Sequence, residues 1–185
     1  IEGIIDGWDN TAKEFRAKVD ALIADGIKDV KLYINSPGGS VFEANEIGNV
    51  IDRFSGKVTG EGGALVASAA TCLALKCETF EMAENGQFMY HKPRAGTWGN
   101  ENELASTLKL LRALTKQYRA MYAEKTGMTE DEIEANWAPG DVWLTAEEAL
   151  EEGFITGITK PVRITKDTEA LFAACGATNA TATND

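Results

Sequence analysis

The sequence predicts an α/β protein, with helices layered on a mainly parallel sheet. Stretches with alternating apolar residues, such as "DVKLYIN", are separated by stretches with apolar residues at helical spacing, such as "WDNTAKEFRAKVDALIADG". Strands and helices that alternate at this density indicate crossover connections, which make neighbouring strands parallel. A chain of 185 residues is long enough to bury one good core, so one main domain is expected.

The first half of the chain predicts three helices and two strands. The first helix follows the N-cap candidates Asp9, Asn10 and Thr11 and stops at Gly26. Its apolar stripe consists of Phe15, Val19, Leu22 and Ile23. After the strand "DVKLYIN", "SPGG" breaks the pattern, and a second helix runs through Phe42, Ile47, Val50, Ile51 and Phe54. "GKVTGEG" is a short strand, and "GGALVASAATCLAL" is typical of a buried helix rich in small residues.

The second half predicts shorter strands and one long helix. "ETFEMAENGQFMYH" contains two short strands around the turn signal Asn85-Gly86. An amphipathic helix covers roughly 101–125, with one row formed by Leu104, Leu108, Leu111, Leu114, Tyr118 and Tyr122. "GDVWLTAEEALEEGF" contains a short helix, and the last strand lies near "ITGITKPVRI". We expect a domain over 1–163 and a weakly ordered tail or linker over 164–185, where Ala and Thr predominate.

Composition excludes several classes of function. A formal net charge of −11 argues against a surface that captures nucleic acid or anionic lipid. No apolar run reaches the 18 or so residues that a membrane-spanning helix needs. The three cysteines are odd in number and form no CxxC pair, which favours reduced thiols in a cytoplasmic protein over a disulfide framework or a zinc site.

Three short stretches carry candidate chemistry, together with His91, the only histidine. "INSPGGS" either ends a strand in a glycine turn or presents backbone amides to a developing oxyanion. Ser68 lies among small residues without a GxSxG motif, and it is either a nucleophile or a helix serine bonded to a carbonyl. Asp141 after Pro-Gly either orients a histidine or caps a turn. Lys92 leaves a Ser-Lys dyad open, whereas a Ser-His-carboxylate site must use His91.

The order of these motifs resembles that of the ClpP-type serine peptidases. "YINSPGGSVFEA", the helix that carries Ser68, "FMYHKP" and "GDVWLTAEEALEEGFITGI" are similar to the family's landmarks, and the spacings between them suit the family. The resemblance runs from about Gly3 to Val162. In appearance the chain is most similar to the phage and prophage members, the ClpP-like head maturation proteases.

The resemblance implies a ClpP/crotonase-like spiral of repeated β-β-α units, with a protruding handle over about 92–125. It implies a triad of Ser68, His91 and Asp141, with an oxyanion hole formed by the backbone amides of Gly39 and Ala69. It also implies polypeptide substrates, no metal or other cofactor, and a homo-oligomer of one ring or of stacked rings joined through the handle helix. "PRAGTWGN" takes the place of the handle segment that lies beside a bound peptide.

Some features of the sequence depart from the family pattern, and they affect which partners and substrates are expected. The chain begins almost at its first strand, so the segment that docks an unfoldase is not expected, and a Clp ATPase partner is doubtful. Processing of a phage capsid or scaffold protein is favoured. The alternatives are a non-catalytic shell or scaffold subunit and, with less support, a crotonase-like acyl-CoA enzyme, for which no basic cluster is present. Trp98, Trp137 and Trp143 either line the substrate groove or, as we favour, pack in the core or an interface.

Overall fold

The computed structural model describes residues 1–160, which form six helices and six strands around one core. The helices are α1 (Ala12–Ala24), α2 (Val41–Ile51), α3 (Ala69–Leu75), α4 (Glu101–Thr126), α5 (Glu130–Trp137) and α6 (Ala146–Glu151). The strands are β1 (Val30–Ser36), β2 (Val58–Ala67), β3 (Thr79–Ala83), β4 (Gln87–Tyr90), β5 (Val142–Thr145) and β6 (Gly157–Thr159). None of these helices is both long and apolar enough to cross a membrane. The predicted tail, 164–185, lies outside the described residues.

The strands form one sheet, and its path of hydrogen-bonded neighbours runs β5-β4-β2-β3-β6, with β1 paired to β2 off this path. Strand β2 pairs in parallel with β1, β3 and β4, and β3 pairs in parallel with β6. Among residues 1–160 only the pair of β4 and β5 is antiparallel. The prediction of an α/β fold with mainly parallel connections is therefore confirmed.

Strand β2 is the centre of the sheet. Gly60 in β2 pairs with Leu32 of β1 on one edge and with Phe80 of β3 on the other. Further along, Val66 pairs with β1 and with Phe88 of β4, so β3 and β4 lie one after the other on the same edge of β2. The predicted turn at Asn85-Gly86 is present, but it does not reverse the chain, because the strands on both sides of it run parallel to β2.

Strand β2 is also longer than the sequence predicted. The small-residue stretch was expected to be one helix, whereas β2 continues to Ala67 and α3 begins only at Ala69. The glycines account for the error. A Cβ at Gly62 would lie 2.8 Å from Cγ of Met82 and 3.0 Å from the ring of Phe80, so close packing of β3 requires a glycine there. Glycine has a low strand propensity, and it interrupts the apolar alternation by which a strand is recognised.

The first two helices lie where the sequence predicted them, but parts of their apolar faces are solvent-exposed. Helix α1 begins after Thr11, whose hydroxyl accepts a hydrogen bond from the backbone N–H of Glu14. Val19 is buried as predicted, while Leu22 is exposed. Phe42 in α2 is 61% exposed, whereas Ile47, Val50 and Ile51 of the same predicted helix are buried.

The long helix α4 divides into an exposed half and a buried half. A capping box formed by Asn100 and Glu103 starts the helix, and a left-handed residue, Gly127, ends it. The first turns are exposed, as expected for a protruding handle, and Leu104 and Leu108 are 44% and 47% exposed. Leu111 and Leu114 of the predicted leucine row are half-buried. The last turns pack on the core through the buried side chains of Tyr118 and Tyr122.

An aromatic cluster joins the buried half of α4 to the end of β4. It consists of Phe88, Tyr90, Tyr122, Trp137 and Phe154, all buried. The ring centroids of Tyr90 and Tyr122 lie 5.2 Å apart, and those of Tyr122 and Trp137 lie 6.0 Å apart in an edge-to-face arrangement. Such pairs add directional contacts to simple burial, so the cluster fixes β4 relative to α4.

Two elements of the structure, α5 and β5, were not predicted from the sequence. Helix α5 has a capping box between Thr129 and Glu132, a signal that the sequence contains and that would have identified it. Strand β5 has only four residues, of which Leu144 is buried and Trp143 is exposed. So short a strand gives too little alternation to be recognised without its partner.

Candidate active site

The sheet brings the three predicted side chains to one place. Ser68 follows the last residue of β2, His91 follows the last residue of β4, and Asp141 precedes the first residue of β5. Ala67 pairs with Met89 in the parallel ladder, and Tyr90 pairs with Val142 in the antiparallel one. The carboxyl ends of parallel strands lie at the same end of a sheet, and an antiparallel neighbour begins at that end. Ser68, His91 and Asp141 therefore meet at the carboxyl end of β2 and β4.

Ser68 lies at a sharp turn between β2 and α3. Its φ is 54° and its ψ is −126°, and it is the only non-glycine residue with positive φ among residues 1–160. Its backbone N–H donates to the carbonyl of Met89 at 2.8 Å, which ties the turn to the neighbouring strand. A serine held in strained backbone between a strand and a helix has the geometry of a nucleophile elbow. The sequence around Ser68 contains no GxSxG motif, so motif matching alone does not identify this turn.

His91 contacts both other side chains. Its Nε2 lies 2.7 Å from Ser68 Oγ, and its Nδ1 lies 3.2 Å from Asp141 Oδ1. A carboxylate can only accept, so Nδ1 carries the proton and donates to Asp141, which leaves Nε2 free to accept from the serine hydroxyl. This tautomer is the one that a general base for Ser68 requires.

The environment of His91 keeps its imidazole neutral. The side chain is only 10% exposed, and burial is the largest cause that lowers its pKa from the ordinary value. The charge of Arg94 lowers the pKa further, while the charge and the hydrogen bond of Asp141 raise it and only partly compensate. Arg94 Nη1 lies 3.6 Å from Asp141 Oδ1, the same oxygen that faces His91. Sequence reasoning did not single out Arg94, because nothing in a sequence shows that this loop folds back toward Asp141.

The glycine loop after β1 packs directly on the Ser68 turn. Gly38 and Gly39 have φ of +87° and +144°. A Cβ at Gly38 would lie 2.7 Å from both the Ala69 nitrogen and Ser68 Cβ. Within residues 1–160, the amides of Gly39 and Ala69 donate to no backbone acceptor. Two such amides beside a serine hydroxyl can stabilise an oxyanion.

Neighbouring contacts hold the glycine loop in place. The N–H of Ile5 donates to the carbonyl of Gly38 at 2.9 Å, and the N–H of Ser40 donates to the carbonyl of Ile5 at 2.7 Å. The buried hydroxyl of Ser36 accepts a hydrogen bond from the N–H of Gly38 at 3.0 Å. The loop is therefore fixed from both sides before any ligand arrives.

The ammonium of Lys92 is paired with a carboxylate. That carboxylate belongs to Glu134 and also accepts from Arg119 and from the indole N–H of Trp137. This arrangement gives no support to a Ser-Lys dyad. Among residues 1–160 there is also no group of three His, Cys, Asp or Glu side chains placed to hold a metal ion.

The three tryptophans considered as candidates for a substrate groove differ in exposure. Trp137 is buried in the aromatic cluster, as predicted for core packing. Trp98 in the segment before α4 is 91% exposed, and Trp143 in β5 is 54% exposed. These two indoles are therefore accessible to a ligand or to another protein surface.

Comparisons of this sequence with a family model and with known proteins agree on one protein family. The family model described as Clp protease matches residues 6–162. The chain is 30% identical over 154 residues to "ATP-dependent Clp protease proteolytic subunit 1" of Leifsonia xyli subsp. xyli, covering 81% of this chain and 77% of that protein. It is 33% identical over 153 residues to "ATP-dependent Clp protease proteolytic subunit 2" of Tropheryma whipplei, covering 81% and 84%. The proteolytic subunit of Streptococcus gordonii is also 33% identical, over 156 residues, with coverage of 81% and 79%.

Proposed function

Because the chain belongs to the Clp protease family and is a serine peptidase, we propose that Ser68, His91 and Asp141 are its catalytic triad. The single observation that carries the proposal is the 2.7 Å contact between Ser68 Oγ and His91 Nε2. The buried, neutral imidazole supports it, since a base must be unprotonated to accept the serine proton.

The reaction is peptide-bond hydrolysis through an acyl-enzyme. Ser68 Oγ attacks the carbonyl carbon of the scissile bond while His91 Nε2 takes the hydroxyl proton, and Asp141 stabilises the resulting imidazolium. The amides of Gly39 and Ala69 donate to the oxyanion of the tetrahedral intermediate; loss of one such donor typically costs about 10²–10³ in rate. His91 then protonates the leaving amine, and the C–N bond breaks. Water, deprotonated by His91, attacks the ester and releases the peptide acid and Ser68.

Two rival functions are less well supported. A crotonase-like acyl-CoA enzyme would also use paired backbone amides, but the family match is to Clp protease. A non-catalytic shell subunit would not need the strained turn at Ser68 or a histidine tautomer fixed by Asp141. Backbone strain of this kind costs about 1–3 kcal/mol and is found mainly at functional sites, so its presence at Ser68 favours a catalytic function.

Labelling with a fluorophosphonate probe tests the triad directly. We expect intact protein to gain one adduct, located on Ser68 by mass spectrometry of its peptides. Ser68→Ala and His91→Ala should gain none, while His91→Ala should keep the far-ultraviolet circular dichroism of the wild type. If the folded wild-type protein gained no adduct from the probe, the result would favour a non-catalytic shell subunit instead.

We propose that the substrates are polypeptides and, from the resemblance of "ASAAT" and "ENGQFMYHKP" to the phage members, that they include a capsid or scaffold protein. The relatives are named as subunits of an ATP-dependent protease, so degradation assisted by an ATPase is the second candidate. Hydrolysis of fluorescein-labelled casein by the purified protein alone supports self-contained activity. Hydrolysis that requires a Clp ATPase and ATP supports the second candidate. The free thiols of Cys72 and Cys77 suit a cytoplasmic location.

We propose further that copies of the chain associate through α4. Leu104 and Leu108 leave a large part of their apolar surface exposed on one face of this helix, and such surface usually marks an interface. Analytical ultracentrifugation of Leu108→Glu should show smaller assemblies than the wild type. Ala113→Glu, an exposed position on another side of the same helix, is the matched control. Equal sedimentation of the wild type and both variants would refute this assembly mode.

A further inference from the structure

Two buried hydroxyl groups, linked by a hydrogen bond, connect α4 to the backbone carbonyl of Ser68. The hydroxyls of Tyr122 in α4 and Thr71 in α3 lie 2.7 Å apart. Thr71 Oγ1 lies 2.6 Å from the carbonyl oxygen of Ser68. Both side chains are fully or almost fully buried, with Thr71 at 0% and Tyr122 at 1% exposure. Neither residue takes part in the mechanism described so far.

The direction of both hydrogen bonds follows from the groups involved. The carbonyl of Ser68 can only accept, so the one hydroxyl proton of Thr71 is donated to it. Thr71 Oγ1 therefore has no proton left for Tyr122 and must accept from the tyrosine hydroxyl. Burial raises the pKa of Tyr122, so its hydroxyl remains a neutral donor. The result is a directed relay from Tyr122 to Thr71 to the Ser68 carbonyl, and aligned bonds of this kind strengthen one another.

The relay acts on the peptide unit that contains the Ala69 amide. The carbonyl of Ser68 and the N–H of Ala69 belong to one planar peptide group, in which they point in opposite directions. A hydrogen bond that fixes the carbonyl therefore also fixes the direction of the N–H. On the basis of the proposed function, we infer that Thr71 and Tyr122 are positioning residues that aim the Ala69 amide at the oxyanion.

The turn at Ser68 needs such support because its backbone is strained. With φ at 54°, Ser68 lies in a region that a non-glycine residue leaves readily unless its surroundings hold it. The backbone N–H of Thr71 also donates to the Ser68 carbonyl, at 3.0 Å, but this bond alone can tilt as the first turn of a short helix moves. The shorter hydroxyl bond adds a second contact from a different direction.

Tyr122 is itself fixed by the aromatic cluster. Its ring contacts those of Tyr90, Trp137 and Phe154. Tyr90 is the residue immediately before His91, so one tyrosine of α4 touches both the strand end that presents the base and the relay to the nucleophile turn. The buried end of α4 thereby sets the relative position of the two halves of the site.

Fluorophosphonate kinetics can separate this role from a general structural one. The variants Thr71→Val and Tyr122→Phe each remove one hydroxyl with little change of shape, and Thr71→Ser keeps the hydroxyl. Tyr118→Phe is the matched control, because Tyr118 is a buried tyrosine one turn away whose hydroxyl contacts Asn45 and Cys72 but not Thr71. It therefore also touches α3, but it lies outside the relay to the Ser68 carbonyl. The maximal rate of labelling reports the oxyanion site, while the probe concentration at half-maximal rate reports ground-state binding.

We expect the maximal labelling rate to fall about three- to tenfold in Thr71→Val and in Tyr122→Phe, as for the loss of one hydrogen bond. The half-maximal concentration should stay within about twofold, and the double variant should lose less than the product of the two single losses. Thr71→Ser and Tyr118→Phe should label at the wild-type rate. If Thr71→Val does not fold, Tyr122→Phe alone carries the test.

Two outcomes would overturn the inference alone, and a third would overturn it together with the proposed function. One is wild-type labelling of the folded relay variants while Ser68→Ala remains unlabelled, which leaves the proposed function intact. The other is an equal rate loss in Tyr118→Phe, which would indicate a loosened core and no specific relay. Labelling that persists in Ser68→Ala would instead refute the proposed function, and the inference with it.

Discussion

Replacement of Gly38 by alanine tests how the glycine loop and the Ser68 turn depend on each other. The added Cβ would lie 2.5 Å from the carbonyl oxygen of Ala67, 2.7 Å from the nitrogen of Ala69 and 2.7 Å from Ser68 Cβ. All three partners are backbone atoms or the first side-chain atom, so none can rotate away. The loop and the turn must therefore move apart as units.

The size of the movement follows from these contacts. Ordinary contacts of a Cβ begin at 3.4 Å, so the shortest contact of 2.5 Å requires a separation of roughly 0.9 Å. A misplacement of about 1 Å at a catalytic site costs on the order of 10² in rate. Alanine at a φ of +87° also costs about 1 kcal/mol of stability even without a clash.

We expect Gly38→Ala to react with a fluorophosphonate about 100-fold more slowly than the wild type. Its free energy of unfolding in urea should fall by about 2 kcal/mol, from backbone strain and close contact together. Gly26→Ala is the matched control, because Gly26 has a similar φ of +79° and nothing within 4 Å of the added Cβ. It should lose about 1 kcal/mol and keep the wild-type labelling rate. A wild-type labelling rate in Gly38→Ala would refute the proposed dependence of the site on this contact.

Three further outcomes are expected. Burial and then Arg94 lower the pKa of His91, so Arg94→Gln should raise that pKa and move the acidic limb of the pH–rate profile for labelling to higher pH; an unmoved or lower limb contradicts this. Asp141→Asn should label roughly 10²–10⁴ times more slowly with unchanged circular dichroism, because the tautomer of the base is no longer fixed; labelling within a few-fold of wild type would remove Asp141 from the triad. Burial raises the pKa of Cys72 to about 11 and of Cys77 to about 12, so iodoacetamide at pH 8 should modify both thiols only in urea, as peptide mass spectrometry would show.

Sequence patterns predicted the α/β class and the long helix because these depend on periodicity over many residues. The candidate triad was predicted differently. The types of Ser68, His91 and Asp141 were visible one by one, but only the order of their motifs, through the family resemblance, brought them together. Their contact depends on the pairing of β2 with β4 and of β4 with β5, which are long-range choices of register.

The features that the sequence did not reveal have a common physical origin. The strand content of "GGALVA" was hidden by glycines that neighbouring side chains require, as at Gly62 beside Met82 and Phe80. The exposed position of Phe42 follows from how α2 is rotated on the core, which its own sequence does not set. The role of Thr71 depends on a hydroxyl 51 positions further along the chain. In each case the deciding partner is distant in sequence, and local pattern carries no information about it.

The position of β5 at the end of the sheet has a consequence for how the protein would fail on heating. This strand has four residues, pairs with β4 alone among the described strands and leads directly from Asp141. Short edge elements open at a lower free energy than the whole domain does. Opening of β5 would carry Asp141 away while Ser68 and His91 remain joined through β2 and β4. Thermal inactivation should therefore begin below the melting temperature of the domain. Activity should return on cooling, because only the edge strand has opened and the core has stayed folded.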